Sequence, residues 1–202
     1  MSQKKNKNDC YSQGERGFMQ WGQDIRAQTL QPLLQLLSHL GIKANHISIV
    51  SLVIGLLAAV LFIYSKPIGL LLLFLHVLLD GLDGPLARHT KTDSNQGSFT
   101  DSVIDQVVIV AMMVSLVFVK IADPVAAIIY LISYTVVVSF AFVRNALHIP
   151  YSWLFRPRFL IYVWIPVELW LLPGTLDILI WICNLLLVIK SITGFIKIRR
   201  KI

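Results

Sequence analysis

The sequence predicts an all-α integral membrane protein: six transmembrane helices preceded by an interfacial amphipathic helix. Three observations carry that prediction. Of the 202 residues, 56% are hydrophobic and only 14% charged, where a soluble domain carries about 25% charged residues. Mean hydropathy is +0.70, too high for a surface that faces water. Lys and Arg gather on one side of the alternation that such helices impose.

The elements follow in order. Residues 1–19 read as a polar tail, and the polar first 17 do not have the apolar core of a cleavable leader. From Gln20 to Leu40, leucines at 30, 33, 34, 36, 37 and 40 are mixed with Gln23, Gln28, Gln31 and Gln35. That mixture predicts an amphipathic helix over 20–41 lying at the interface, as an anchor or as a guard over a site there. Residues 42–202 form the membrane domain. Its first span, Ala44 to Ser65, has 22 residues without Lys, Arg, Asp or Glu, roughly 33 Å of helix and enough to cross the hydrocarbon. Further apolar segments cover approximately 67–86, 98–119, 124–143, 159–175 and 178–196. Cys10 and Cys183 offer neither a disulfide framework nor metal-ligand spacing.

Charge sets the orientation. With a cytoplasmic N-terminus, six crossings return the C-terminus to the same side, and 16 of the 18 Lys and Arg residues are then cytoplasmic. Only Lys66 and Lys120 fall outside. This is the positive-inside asymmetry, and it accounts for the net charge of +7 without nucleic acid as a partner.

Against this background, the stretch from Leu78 to Gln106 holds five of the eleven acidic residues. Asp80 and Asp83 are spaced i, i+3 near the end of the second span, and Asp101 and Asp105 are i, i+4 near the start of the third. Each pair shares a helix face, and the 89–96 loop brings both pairs to one membrane face. Desolvating four unpartnered carboxylates costs several kcal/mol each, so something cationic must hold them. Oxygen donors with no Cys or His in the pattern suit Mg²⁺ or Mn²⁺; Arg88 neutralises one carboxylate but not four. Gly84, Ala87 and Gly97 are small residues beside the cluster, placed for helix packing or for close approach of a ligand.

The run Asp80-Gly81-Leu82-Asp83-Gly84-Pro85-Leu86-Ala87-Arg88, followed by Gly97, Asp101 and Asp105 at fixed intervals, resembles the signature of the CDP-alcohol phosphotransferases. The resemblance implies that Asp80, Asp83, Asp101 and Asp105 hold two divalent ions, and that Asp105 is the general base on the acceptor alcohol. It implies that Gly84 and Arg88 contact the nucleotide diphosphate, that Ala87 and Gly97 leave it room, and that Ser94 adds a hydroxyl. Family members often carry Pro-Asn-x-x-Thr at the first membrane helix. Here Asn45 and Ser48 stand at the Asn and Thr positions while Ala44 replaces the proline.

The expected reaction is transfer of a phosphatidyl group from CDP-diacylglycerol to a small polar alcohol, with release of CMP, by a membrane homodimer. Transfer of a CDP-linked head group to diacylglycerol is the alternative within the class, and a divalent-cation transporter the alternative outside it. Carboxylates confined to one face count against transport. Arg144, Arg156 and Arg158 are topology charges and also the best anion site for a phosphorylated acceptor. Phosphatidylglycerophosphate synthases of the family usually carry an arginine where this chain has Ser51, and its absence tilts the expectation towards an unphosphorylated acceptor. His76 is expected to make a helix–helix hydrogen bond or to reach the site, His89 to lie in the loop, and Glu168 to line an acceptor pocket or pair with a neighbouring helix.

Overall fold

Three helix starts in this protein are set by capping side chains rather than by the limits of the apolar runs. The computed structural model describes residues 30–151 and 156–202, which contain helices and short connections and no strand. Helix α1 occupies 30–39 of the described residues. It is followed by α2 (Ala44–Tyr64), α3 (Lys66–His89), α4 (Asn95–Phe118), α5 (Pro124–Ala146), α6 (Arg158–Trp170) and α7 (Leu176–Arg199). Helices α2 to α5 and α7 are each long and apolar enough to cross a membrane, so the protein is a multi-pass membrane protein.

Ser94 starts α4 three residues before the predicted apolar run, because its Oγ accepts the Gly97 N–H at 3.1 Å. Asp123 starts α5 in the same way, accepting the Ala126 N–H at 2.7 Å, with Pro124 at the first helical position. At their other ends α3 and α7 run past the apolar limit into His89 and Arg199, since the backbone ladder continues wherever charged side chains reach the interface.

The fifth predicted segment is helical over only part of its length. Where the apolar run covers 159–175, α6 has 13 residues, about 20 Å against a hydrocarbon core of about 30 Å. Leu171 and Leu172 keep the hydropathy high, but the helix stops before them. Pro173 disfavours the helical conformation at Leu172, and Gly174 takes a φ of +86°, a turn that glycine adopts without strain. Glu168 then holds the turn. Its carboxylate accepts the N–H groups of Gly174 at 2.5 Å, Thr175 at 2.8 Å and Leu176 at 2.7 Å. Of the two roles expected for Glu168 the structure shows pairing with a helix: it satisfies orphan donors at the start of α7.

Packing explains which faces are buried. Helix α2 packs on α3 and α4, α5 on α7 and α4, and α6 on α7. Gly69 is indispensable to the first of these, because a Cβ there would meet Phe62 Cα and Cβ at 2.5 Å. Hydrogen bonds reinforce the contacts inside the apolar interior: Ser115 Oγ donates to the Ala59 carbonyl at 2.7 Å, and Asn184 Nδ2 to the Ala126 carbonyl at 2.9 Å. Helix α1 lays Leu34 against Ile47 and Leu86, with Leu30 and Leu37 beside them, while Leu36 and Leu40 remain exposed. The predicted tail over 1–19, and the first part of the predicted amphipathic helix, lie outside the described residues.

Replacing Glu168 with Ala is expected to leave buried N–H groups unbonded, at a cost of about 2–4 kcal/mol. The melting temperature in detergent should fall by roughly 5–10 °C, and less in Glu168→Gln, which keeps an acceptor oxygen. An unchanged melting temperature in the alanine variant would refute the capping role.

Candidate active site

The last turns of α3 and the first turns of α4 are joined by a short connection, so their carboxylates face a common point. Carboxylate oxygens of Asp80, Asp101 and Asp105 all lie within 4.8 Å of one another. Asp105 is buried, and Asp80 and Asp101 are partly so. Asp83 is also buried but turns towards α2, where its Oδ2 accepts a hydrogen bond from Ser48 Oγ at 2.7 Å. The i, i+4 pair therefore converges as its spacing predicts. The i, i+3 pair divides, with Asp80 in the cluster and Asp83 tied to the neighbouring helix.

The cation that compensates the cluster is Arg158, from the first residue of α6. Its Nη2 lies 3.3 Å from Asp80 Oδ2, and its Nη1 makes an ion pair with Asp105 Oδ1. The residue is only 5% exposed, so the pairing takes place away from water, where an unpaired charge is most costly. Arg156 lies within electrostatic range of Asp101. In the sequence Arg156 and Arg158 group with Arg144 as basic residues of one connection. The partnership of Arg158 with Asp80 and Asp105 was not visible there, because 78 positions separate it from Asp80.

Arg144 behaves differently. It is buried, its Nε donates to the Ile149 carbonyl at 2.9 Å, and its Nη2 donates to the Pro150 carbonyl at 3.1 Å. Its guanidinium stacks on Tyr151, 3.8 Å from the ring centroid. These contacts fold the connection that follows α5.

The remaining predicted residues surround the cluster. At Gly84, Arg88 Nη1 lies 3.4 Å from the place a Cβ would occupy, so the missing side chain leaves a shallow cradle edged by a guanidinium. Ala87 is half-buried nearby, and Asn45 is exposed at the start of α2. The Ser94 hydroxyl is engaged with the Gly97 N–H, which orients the helix that carries Asp101 and Asp105. His76 makes the helix–helix bond expected of it: Nδ1 lies 3.0 Å from the Ser51 carbonyl and 2.8 Å from Ser51 Oγ. Its ring meets Tyr162 edge-on at 6.5 Å between centroids. Tyr162, one turn beyond Arg158, is a buried neighbour of the site that sequence reading missed. His89 closes α3 at an exposed position.

This donor set fits a hard divalent cation. Two oxygens on opposite sides of Mg²⁺ are about 4.2 Å apart, twice the metal–oxygen distance, so three carboxylates within 4.8 Å reach one ion with small side-chain rotations. Carboxylate oxygen without thiolate or imidazole also favours Mg²⁺ or Mn²⁺ over softer metals.

Residues 42–192 match the CDP-alcohol phosphatidyltransferase family. The chain belongs to that family. Among its relatives is the archaetidylinositol phosphate synthase of Pyrococcus horikoshii, 38% identical over 86 residues that cover 41% of this chain and 46% of that protein. The bifunctional IPC transferase and DIPP synthase of Thermococcus kodakarensis is 30% identical over 84 residues, covering 42% of this chain and 19% of that protein. Its counterpart in Aquifex aeolicus is 32% identical over 72 residues, 36% of this chain and 17% of that protein. The chain thus matches less than half the length of each of these relatives.

In this family member, Asp101→Asn is expected to weaken Mn²⁺ binding by about 10–100-fold, on the scale seen when groups around a metal are removed, with the helical fold intact by circular dichroism. Calorimetric titration of the detergent-solubilised protein with Mn²⁺ checks it. Equal affinity in the variant would exclude Asp101 as a ligand.

Proposed function

We propose that this protein transfers the phosphatidyl group of a CDP-linked lipid, CDP-diacylglycerol, to a small polar alcohol that itself carries a phosphate, and releases CMP. The observation that carries the proposal is the convergence of Asp80, Asp101 and Asp105 on one point with Arg158 packed against two of them. In the reaction, the acceptor hydroxyl oxygen forms a bond to the lipid-side phosphorus, the bond from that phosphorus to the bridging diphosphate oxygen breaks, and CMP departs with those electrons. Asp80, Asp83, Asp101 and Asp105 would hold two Mg²⁺ or Mn²⁺ ions, whose chemistry is to polarise the phosphoryl oxygens and offset the charge of the leaving group.

The chain's own groups do the rest. Asp105 accepts the hydroxyl proton as general base. Ser48 orients Asp83, and Ser94 and Gly97 orient α4. Arg88, across the cradle at Gly84 and Ala87, holds the diphosphate, with Asn45 on the nucleotide side. Arg156 and Arg158 receive the acceptor's phosphate, since guanidinium matches its oxygens bidentately. The missing arginine at Ser51 favoured an unphosphorylated acceptor. The burial of Arg158 at the carboxylates, and similarity to a protein named archaetidylinositol phosphate synthase, move the proposal to a phosphorylated polyol. The proposal also includes a sixth crossing made by α6 with the 171–173 turn, a cytoplasmic site with both termini on the same side, α1 at the interface, and a homodimer.

Purified protein with CDP-diacylglycerol, Mg²⁺ and a panel of inositol phosphate, glycerol 3-phosphate, inositol and serine should release CMP with a phosphorylated acceptor only. In that assay Arg158→Gln is expected to raise the acceptor KM about ten-fold or more, the loss of one charge-assisted contact worth roughly 1.5–3 kcal/mol. Turnover with uncharged alcohols alone would overturn the phosphate assignment. Asp105→Asn should lower kcat by about 10²-fold or more while the lipid substrate still binds. Loss of lipid binding in that variant would make Asp105 a ligand only.

A further inference from the structure

Tyr162 is a buried residue whose hydroxyl makes no hydrogen bond in the fold. It follows Arg158 by one turn on α6, as His76 precedes Asp80 by one turn on α3, so the two helices face each other in two layers. In the first layer, Arg158 Nη2 lies 3.3 Å from Asp80 Oδ2. In the second, the Tyr162 ring meets the His76 ring edge-on, with 6.5 Å between centroids and 77° between planes. His76 is itself fixed, its Nδ1 lying 2.8 Å from Ser51 Oγ and 3.0 Å from the Ser51 carbonyl. The phenol is therefore turned towards α3, one turn beneath the carboxylates, and the residue is only 7% exposed. Its hydroxyl is enclosed and has no partner among the described residues.

A buried hydroxyl left unbonded is destabilising, and phenylalanine would fill the same volume without that cost. Tyr130 of α5 is alike in this respect: it is fully buried, and its hydroxyl has no partner among the described residues. Their surroundings differ. The polar groups in electrostatic range of Tyr130 are Tyr134, Tyr162 and Cys183, all uncharged side chains. Those in range of Tyr162 include Arg158 and Asp80, the groups that pair at the candidate site. We propose that the Tyr162 hydroxyl is a specificity-determining contact for the acceptor, binding a hydroxyl of the alcohol other than the one that attacks. A phenol both donates and accepts a hydrogen bond, which suits an alcohol group, whereas a diphosphate is better matched by guanidinium. Arg88 edges the cradle at Gly84 on α3, while Arg158 and Tyr162 share one face of α6, so the phenol falls on the acceptor side. The assignment rests on the phosphatidyl-transfer reading given above and does not require that the acceptor carry a phosphate.

Tyr162→Phe removes the oxygen and keeps the ring against His76. Its kinetics are measured with CDP-diacylglycerol, Mg²⁺ and whichever of inositol phosphate, glycerol 3-phosphate, inositol and serine releases CMP with the parent protein. The acceptor KM is expected to rise about 3- to 10-fold, the net worth of one neutral hydrogen bond. The KM for CDP-diacylglycerol should stay within about two-fold, because binding of that substrate is untouched. The melting temperature in detergent, without substrate, should be unchanged or higher, since phenylalanine leaves no buried group unbonded. Tyr130→Phe deletes the other orphan hydroxyl and should leave both KM values within about two-fold. A lower melting temperature with an unchanged acceptor KM would show that the Tyr162 hydroxyl holds a buried water, and would overturn the proposal. Equal rises in both KM values, or an equal effect of Tyr130→Phe, would do the same. So would a parent protein active with serine alone, because serine has no second hydroxyl. A parent that releases no CMP with any of the four alcohols would overturn the transfer reading and this assignment with it. A parent that turns over while Tyr162→Phe matches it in every readout would overturn this assignment alone.

Discussion

The buried contact of Arg158 with Asp80 and Asp105 is the constraint around which the other interactions arrange themselves. Three carboxylates within 4.8 Å of one another repel strongly wherever water is excluded. Helices α3 and α4 bring them together nonetheless, because each is committed by contacts far from the charges. Gly69 lets α3 approach the backbone of Phe62. Ser51 binds His76 in the middle of α3, and Ser115 binds α4 to α2. With α2 as the common partner, the ends of α3 and α4 have little freedom to part, and a cation must come to them. Arg158 comes from the far half of the chain. Arg158, with Arg156 in range of Asp101, offsets part of the charge of the three carboxylates, and what remains favours divalent cations.

Much of the site was legible because its information is local. Asp80, Asp83, Asp101 and Asp105 lie within 26 residues on two consecutive helices, so periodicity alone places them near one another. Periodicity makes Asp80 and Asp83 equivalent, whereas Asp80 pairs with Arg158 and Asp83 with the Ser48 hydroxyl of α2. Arg158 was read as a charge of the right sign on the right side. Its actual partners depend on a long-range packing of α6 that no spacing rule encodes. Arg144 shows the converse. By composition it matches Arg156 and Arg158, yet its hydrogen bonds to the Ile149 and Pro150 carbonyls turn it into a support for the connection that carries them.

The short helix within the fifth apolar segment has a similar origin. Hydropathy sums the preference of side chains for lipid and is blind to where backbone hydrogen bonds end. Residues 171 and 172 are leucines, so the window sees continuity. The chain instead satisfies its backbone through Glu168, a single carboxylate that closes one helix and opens the next. A sequence signal existed: an acidic residue in an apolar run, five positions before the Pro173-Gly174 pair, has few ways to be accommodated in lipid. Bonding to the N–H groups of a helix start is one that needs no counter-ion.

These two findings meet in α6. A helix of 13 residues is about 10 Å too short to be held by the match between its length and the bilayer. Lipid therefore does not define its depth. Its two ends do, and each ends in a buried ionisable residue: Arg158 against the carboxylates of α3 and α4, Glu168 against the first N–H groups of α7. Between them Ile161, Tyr162 and Ile165 fill the core. Helix α6 begins among the carboxylates, where Arg158 is only 5% exposed, so its charge acts at low dielectric on the groups that form the candidate cation site.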